Sequence, residues 1–306
     1  MSFPRRTRLL AATVATATAL TLVPLQAANA EPAPVTGVEL GTSLSNAVAV
    51  NARFDFSDAE TVGLPALRRL RAEMWDINPA YVPYGSEETG TRLQDIARKN
   101  GLTTKDAYVN AFQIDPDLTR IAVQRAAEQP LGSLTHDRAV PAAINGKSAS
   151  GEALALGRNL EGAILQAWGH GELRALQSAG GEWNLSNGHL HNLLNPANRS
   201  FGFGHVSVYA NGSFYEYTAG ISASAAASGA SLPAGKQELN LYRPARSGET
   251  PTGEQPFRAP AKPNLGNTVG TGVSGSSADV KTIISIISAV ITLISVLAGV
   301  AQQFMR

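Results

Sequence analysis

All five histidines of this 306-residue chain, His136, His170, His189, His191 and His205, lie between positions 136 and 205. The chain has no cysteine, which removes thiol nucleophiles, disulfide frameworks, thiolate metal sites and iron-sulfur clusters together. A metal would have to be held by nitrogen and oxygen, and imidazole with carboxylate suits zinc or another borderline divalent ion. The same groups can also act as acid and base when their surroundings push their pKa values apart. The sequence contains no Gly-x-Ser-x-Gly elbow, no His-Glu-x-x-His and no phosphate-binding loop, so residue types alone name no reaction.

The sharpest string holds Trp183, Ser186, Gly188, His189, His191, Asn192, Asn195 and Pro196, and Gly202 and Gly204 follow on a strand pattern. It resembles the signature of the bacterial branch of the CAP superfamily, the cysteine-rich secretory, venom-antigen and plant pathogenesis-related domains. His136 with Asp137 and Arg138, and then Gly151, Glu152 and Gly157, resemble that family's two upstream segments in the same order, and Asp117 to Ala126 resembles its first helix. The likeness covers residues 103–222. It implies an α+β fold, a CAP-type α-β-α sandwich with a central antiparallel sheet, and a cleft holding two histidines and two glutamates.

Carried over position by position, the cleft residues are His136, His189 and Glu152. The second glutamate is either Glu172, one residue too far from Trp168 for the family's spacing, or Glu182, with Glu172 preferred. Ala153 stands where the family usually has asparagine. The resemblance therefore implies a divalent metal such as zinc at His136, Glu152, Glu172 and His189, with Glu182, Trp183 and Asn192 as binding residues beside it. It favours a lipid-binding or surface-binding module over an enzyme. A metal-dependent hydrolase of peptide or cell-wall substrates, with Glu152 or Glu172 as base, is the rival reading.

The remaining histidines have simpler readings. On a helix His191 points about 200° away from His189 and cannot face the same cleft, so it reads as packing or surface. His205 reads as a strand residue and His170 as exposed. Trp168, Trp183, Tyr209, Tyr215 and Tyr217 read first as core or sheet-face aromatics.

The elements that must position these groups follow from periodicity and punctuation. Helices are expected over 58–74, with Pro65 as an interior objection, over 93–99, 105–112 and 160–177, and after Asp115, where an N-cap, a first-position proline and a first-turn acid precede an apolar stripe. Residues 201–220 alternate around Asn211 and Gly212, the pair preferred in a two-residue type I′ turn, which predicts a β-hairpin. Residues 237–242 read as a further possible strand.

The division expected is a signal peptide at 1–30, an N-terminal helical extension at 31–102, the CAP domain at 103–222, a small-residue and proline-rich tether at 223–279, and a hydrophobic helix at 280–304. The first follows from Arg5, Arg6 and Arg8, an apolar run and a small-residue ending at Ala28 and Ala30. The last follows from an uncharged run over 283–301 long enough for a bilayer core. Its Ser285, Ser288, Thr292, Ser295 and Gly299 form a seam suited to helix association. This predicts an exported, envelope-tethered protein, a membrane partner at the C-terminal helix, and a possible homo-oligomer. A membrane assembly or pore built on that helix is a third functional reading. With 25 basic against 24 acidic residues and no long block of either sign, the footprint of a nucleic-acid binder is missing.

Overall fold

The computed structural model describes residues 32–260. The expected signal peptide, the C-terminal hydrophobic helix and the tether beyond residue 260 lie outside the described residues. Among the described residues no helix is long and apolar enough to cross a membrane.

The chain begins its regular structure with β1 (Ala47–Asp55). A widened π turn over Ala59–Gly63 runs on without a break into α1 (Leu64–Ile77), where Pro65, which has no amide hydrogen to donate, stands at the change of winding. Two short helices follow, α2 (Leu93–Lys99) and α3 (Lys105–Val109), the latter capped by the Thr104 hydroxyl. After the short β2 (Gln113–Ile114) comes α4 (Pro116–Ala127), opened as its sequence suggests: the Asp115 carboxylate accepts the Leu118 amide hydrogen, and Pro116 stands in the first turn. A small ribbon of β3 (Ala143–Ile144) and β4 (Lys147–Ser148) precedes β5 (Gly151–Leu156).

The helix expected over 160–177 is continuous in path but changes winding. It runs as α5 (Leu160–Gly162), a π segment over Ala163–His170, and α6 (Gly171–Ser178). Gly169 lies so close to α1 that a Cβ there would stand 2.6 Å from Leu70 Cδ1. Then come α7 (Gly188–Leu194), β6 (Ser200–Ala210), β7 (Ser213–Ala223) and β8 (Lys236–Pro244). The β6–β7 turn has positive φ at both Asn211 and Gly212, as the type I′ geometry requires.

One sheet runs in the order β5-β7-β6-β1-β8, antiparallel throughout, and β2 pairs parallel with the start of β6. Helices cover both faces. On one, α4 packs Leu118, Ile121 and Ala122 against Ala52, Val206 and Ile221. On the other, α1, the π segment and α7 pack Leu67, Trp168 and Leu193 against Phe201 and Phe203.

The sheet reaches beyond residues 103–222 on both flanks. β1 comes from the segment read as an N-terminal helical extension, whose first part, to about Asn51, also reads as a tether able to contribute a strand, and β8 contains the possible strand expected at 237–242 within the second tether. The two pair over the whole of β1, from Ala47 opposite Pro244 to Asp55 opposite Lys236. Alternating burial of Val50, Ala52 and Phe54 explains β1, a period that its alanines and Asn51 obscure in the sequence.

Gly202 and Gly204 have a definite physical role. Their missing side chains face α4, where a Cβ would lie 2.0 Å from the Leu118 carbonyl carbon and 2.5 Å from the Val123 nitrogen. Helix and strand therefore meet backbone to backbone, while the intervening Phe203 enters the opposite core. Gly202→Ala is expected to cost about 3 kcal/mol or more through overpacking. Gly212→Ala, at an open left-handed turn, should cost only about 1–2 kcal/mol. Urea denaturation of the two variants checks the order; equal losses would contradict it.

Candidate functional site

The first histidine-carboxylate pair is built from α4, the loop after it and β5. Glu152 accepts from Arg125, with Nε at 2.6 Å from Oε2 and Nη2 at 3.0 Å from Oε1. His136 Nδ1 lies 2.8 Å from the same Oε1. Arg125, on α4, has a side chain only 4% exposed and also holds Glu128 at 3.0 Å. Its Nη2 donates to the Thr135 carbonyl at 3.1 Å, which ties down the loop carrying His136. Arg138 returns from that loop to Glu128, Nε to Oε2 at 2.9 Å.

Burial opposes the charge on Glu152, but the hydrogen bonds from His136 and Arg125 and their positive charges outweigh it and hold the carboxyl below its usual range. Burial likewise opposes the charge on Arg125, and Glu152 and Glu128 overcome it, so its pKa is raised. Glu152 is therefore an ionised acceptor at neutral pH. Because an ionised carboxylate can only accept, the hydrogen of this contact belongs to His136 Nδ1, and in that tautomer Nε2 is the ring nitrogen turned away from Glu152.

The second pair is built from the opposite helical layer. Glu172, at the start of α6, lies 2.5 Å by Oε1 from His189 Nδ1, and its Oε2 accepts the Leu190 amide hydrogen at 2.9 Å. His189 is in the first turn of α7. The π segment before Glu172 ends at His170, between Gly169 and Gly171; it holds Trp168 with its ring centroid 6.0 Å from that of His189 and its Nε1 donating to the Leu154 carbonyl at 3.0 Å.

The two imidazoles face one another with ring centroids 6.2 Å apart and planes 36° from parallel. The structure thus brings together His136, Glu152, Glu172 and His189. Their arrangement differs from four ligands converging on one point: among the described residues no group of three or more such side chains is placed to hold a metal ion. Each carboxylate is spent on an imidazole Nδ1, while neither Nε2 has a hydrogen-bond partner among the described residues. Two nitrogen donors oriented by carboxylates fit the outer support commonly given to metal-ligating histidines. The remaining positions on an ion would fall to water or a ligand.

The other candidates separate from this cleft. Glu182 is exposed, and its engaged groups are backbone: its carbonyl accepts from Asn187 Nδ2 at 2.9 Å and its amide donates to the Ala179 carbonyl at 3.1 Å. Trp183 is 43% exposed and meets Tyr84 edge to face at 5.5 Å. Asn192 is a brace: its Oδ1 accepts from the Ser222 hydroxyl at 2.8 Å and from Asn198 Nδ2 at 3.1 Å, and it occupies the space a side chain at Gly151 would need. His191 is buried, stacked on Tyr81 at 4.5 Å, with Nε2 2.7 Å from the Val82 carbonyl oxygen. Burial pushes its pKa down. His205 pairs with Glu216 at 2.9 Å and His170 with Glu73 at 2.7 Å.

Sequence reasoning missed two arginines. Arg125 reads as one more position of an amphipathic helix, and only its spacing of three from Glu128 hints at a network. Arg71 carries no signal of its own in the helix expected over 58–74. It is buried completely, donating from Nε to the Leu193 carbonyl at 2.9 Å and from Nη2 to the Asn195 carbonyl at 3.1 Å. It thereby supports the C-terminal end of the helix whose first turn carries His189.

No family model matches the chain, and no curated protein is significantly similar to it.

Arg125→Met would leave two largely buried carboxylates without their shared cation and is expected to cost about 3–5 kcal/mol. His136→Ala, at a side chain 59% exposed, should stay within about 1 kcal/mol. Chemical denaturation distinguishes them, and a Met variant as stable as the Ala variant would show that this network does not hold the loop.

Proposed function

We propose that the protein is an exported binding module of the CAP type whose two-histidine cleft takes a divalent metal such as zinc. The observation that carries this reading is the pair of facing imidazoles, each with Nδ1 on a carboxylate and Nε2 unengaged. The sheet covered by helices on both faces supports the fold assignment, as does the backbone contact made by the Gly202 and Gly204 strand. When bound, the metal supplies a Lewis-acidic attachment point for a ligand group. The chain's own residues orient the imidazoles through Glu152 and Glu172 and hold the first loop through Arg125.

The proposed partner is a lipid or another apolar cell-envelope component. Leu131 and Leu134 are exposed on the loop carrying His136, and Trp183 and Leu185 are exposed just before His189. Apolar surface thus flanks both histidines, which suits an apolar partner more than a charged one. Attachment to a membrane would fall to the apolar run at 283–301.

Zinc titration by calorimetry tests the cleft. One ion per wild-type chain is expected, with binding abolished in the combined His136→Ala, His189→Ala variant. Glu152→Gln and Glu172→Gln should each weaken it about 10-fold to 100-fold. Absence of binding to the wild type would overturn the metal site and leave a partner-binding module alone.

A further inference from the structure

Glu182, left out of the histidine cleft, lines a different cavity of about 460 Å³ between the loop after α1 and the turn after α6. Arg92, Gln177 and Thr89 line it as well, and Ile77 and Val82 supply apolar wall. The walls are fixed by backbone. Val82 donates to the Gly181 carbonyl at 2.9 Å, Tyr81 donates to the Thr91 carbonyl at 3.0 Å, and Gly181 donates to the Leu176 carbonyl at 3.0 Å. Gly181 has a φ of +90°, and a Cβ there would lie 2.4 Å from the Ala80 carbonyl carbon. No larger residue could take this position without separating the walls.

Within that frame two opposite charges stand unpaired. Arg92 makes one long hydrogen bond of 3.4 Å to the Asn78 carbonyl, and among the described residues neither Arg92 nor Glu182 takes part in an ion pair. Gln177 and Thr89 likewise make no side-chain hydrogen bond among the described residues. Ile77 is 47% exposed, whereas Leu67, Leu70 and Met74 of the same helix are buried. A guanidinium and a carboxylate that line one cavity without meeting call for a ligand carrying both complementary charges. Guanidinium takes a carboxylate in a bidentate fork, and carboxylate takes an ammonium group. The adjoining aliphatic wall takes an apolar side chain.

We infer that this cavity binds a small apolar zwitterion, an amino acid or a dipeptide, with Arg92 on its carboxylate, Glu182 on its ammonium group and Ile77 against its side chain. The site is separate from the two-histidine cleft and does not depend on a metal. Because Arg92 and Glu182 are exposed, their substitution leaves the fold in place, which thermal melts verify.

Calorimetry of the full chain with L-leucine and with L-alanyl-L-leucine tests this and distinguishes the two sources of the zwitterion. N-acetyl-alanyl-leucine, alanyl-leucinamide and a neutral disaccharide serve as controls. At least one zwitterion should bind with a Kd below about 1 mM. For the dipeptide, blocking either end should weaken binding about 10-fold, the worth of one charge-assisted contact. For leucine, N-acetylleucine and leucinamide take the same places. Arg92→Gln should weaken the zwitterion by the same factor and remove the further penalty for amidation, and Glu182→Gln should do the same for acetylation. Equal binding of blocked and free ligands, binding of the disaccharide alone, or no zwitterion binding at 10 mM, about ten times that limit, would overturn the assignment.

Discussion

Contact between α4 and β6 without intervening side chains is the constraint on which one half of the molecule rests. Gly202 and Gly204 let the helix backbone meet the strand at Leu118 and Val123, so the helix cannot roll without a clash. Its rotation sets the direction of Arg125, one turn beyond Ile121, and Arg125 meets Glu152 at the β5 edge. A pair of glycines on a central strand thus controls where a guanidinium ends two strands away. The energetic consequence is asymmetric: the buried ion network adds little over apolar packing, but breaking it strands charge.

The other half rests on Arg71. Its guanidinium lies between aromatic rings, 4.6 Å from the Phe112 centroid and 5.0 Å from that of Tyr108, and it donates to carbonyls at the end of α7. Burial lowers its pKa. The carbonyls that a helix terminus leaves unsatisfied supply the compensating negative potential without a carboxylate. Helix α7 is short, so support at one end bears directly on His189 at the other. The cleft therefore lies where two independently braced layers meet, each contributing one imidazole and one carboxylate.

The flanks complete the same sheet. β1 is interior, between β6 and β8, and β8 closes over its full length. Thr36, well before β1, donates to Gln124 on α4, which itself donates to the Tyr242 carbonyl on β8. Segments that read as an extension and a tether thus share buried hydrogen bonds with the central helix, and leaving any one unpaired would carry a desolvation cost.

Local features were legible in the sequence because local chemistry decides them. Asp115 and Pro116 start α4, and Asn211 with Gly212 turns the hairpin, through hydrogen bonds and φ preferences spanning a few residues. That His136, Glu152, Glu172 and His189 lie near one another was expected only through family resemblance, as one set of metal ligands rather than two histidine-carboxylate pairs, and spacing left Glu172 and Glu182 as competitors. Tertiary packing separates them: the glycine-broken π segment sets Glu172 beside α7, whereas Glu182 follows the Gly180–Gly181 turn away from it. The pairing partners of β1, the burial of Arg71 and the reach of Arg125 were hidden for the same reason. Each depends on a partner distant in sequence, and an arginine has the same local pattern whether solvent, a carboxylate or a row of carbonyls receives its charge.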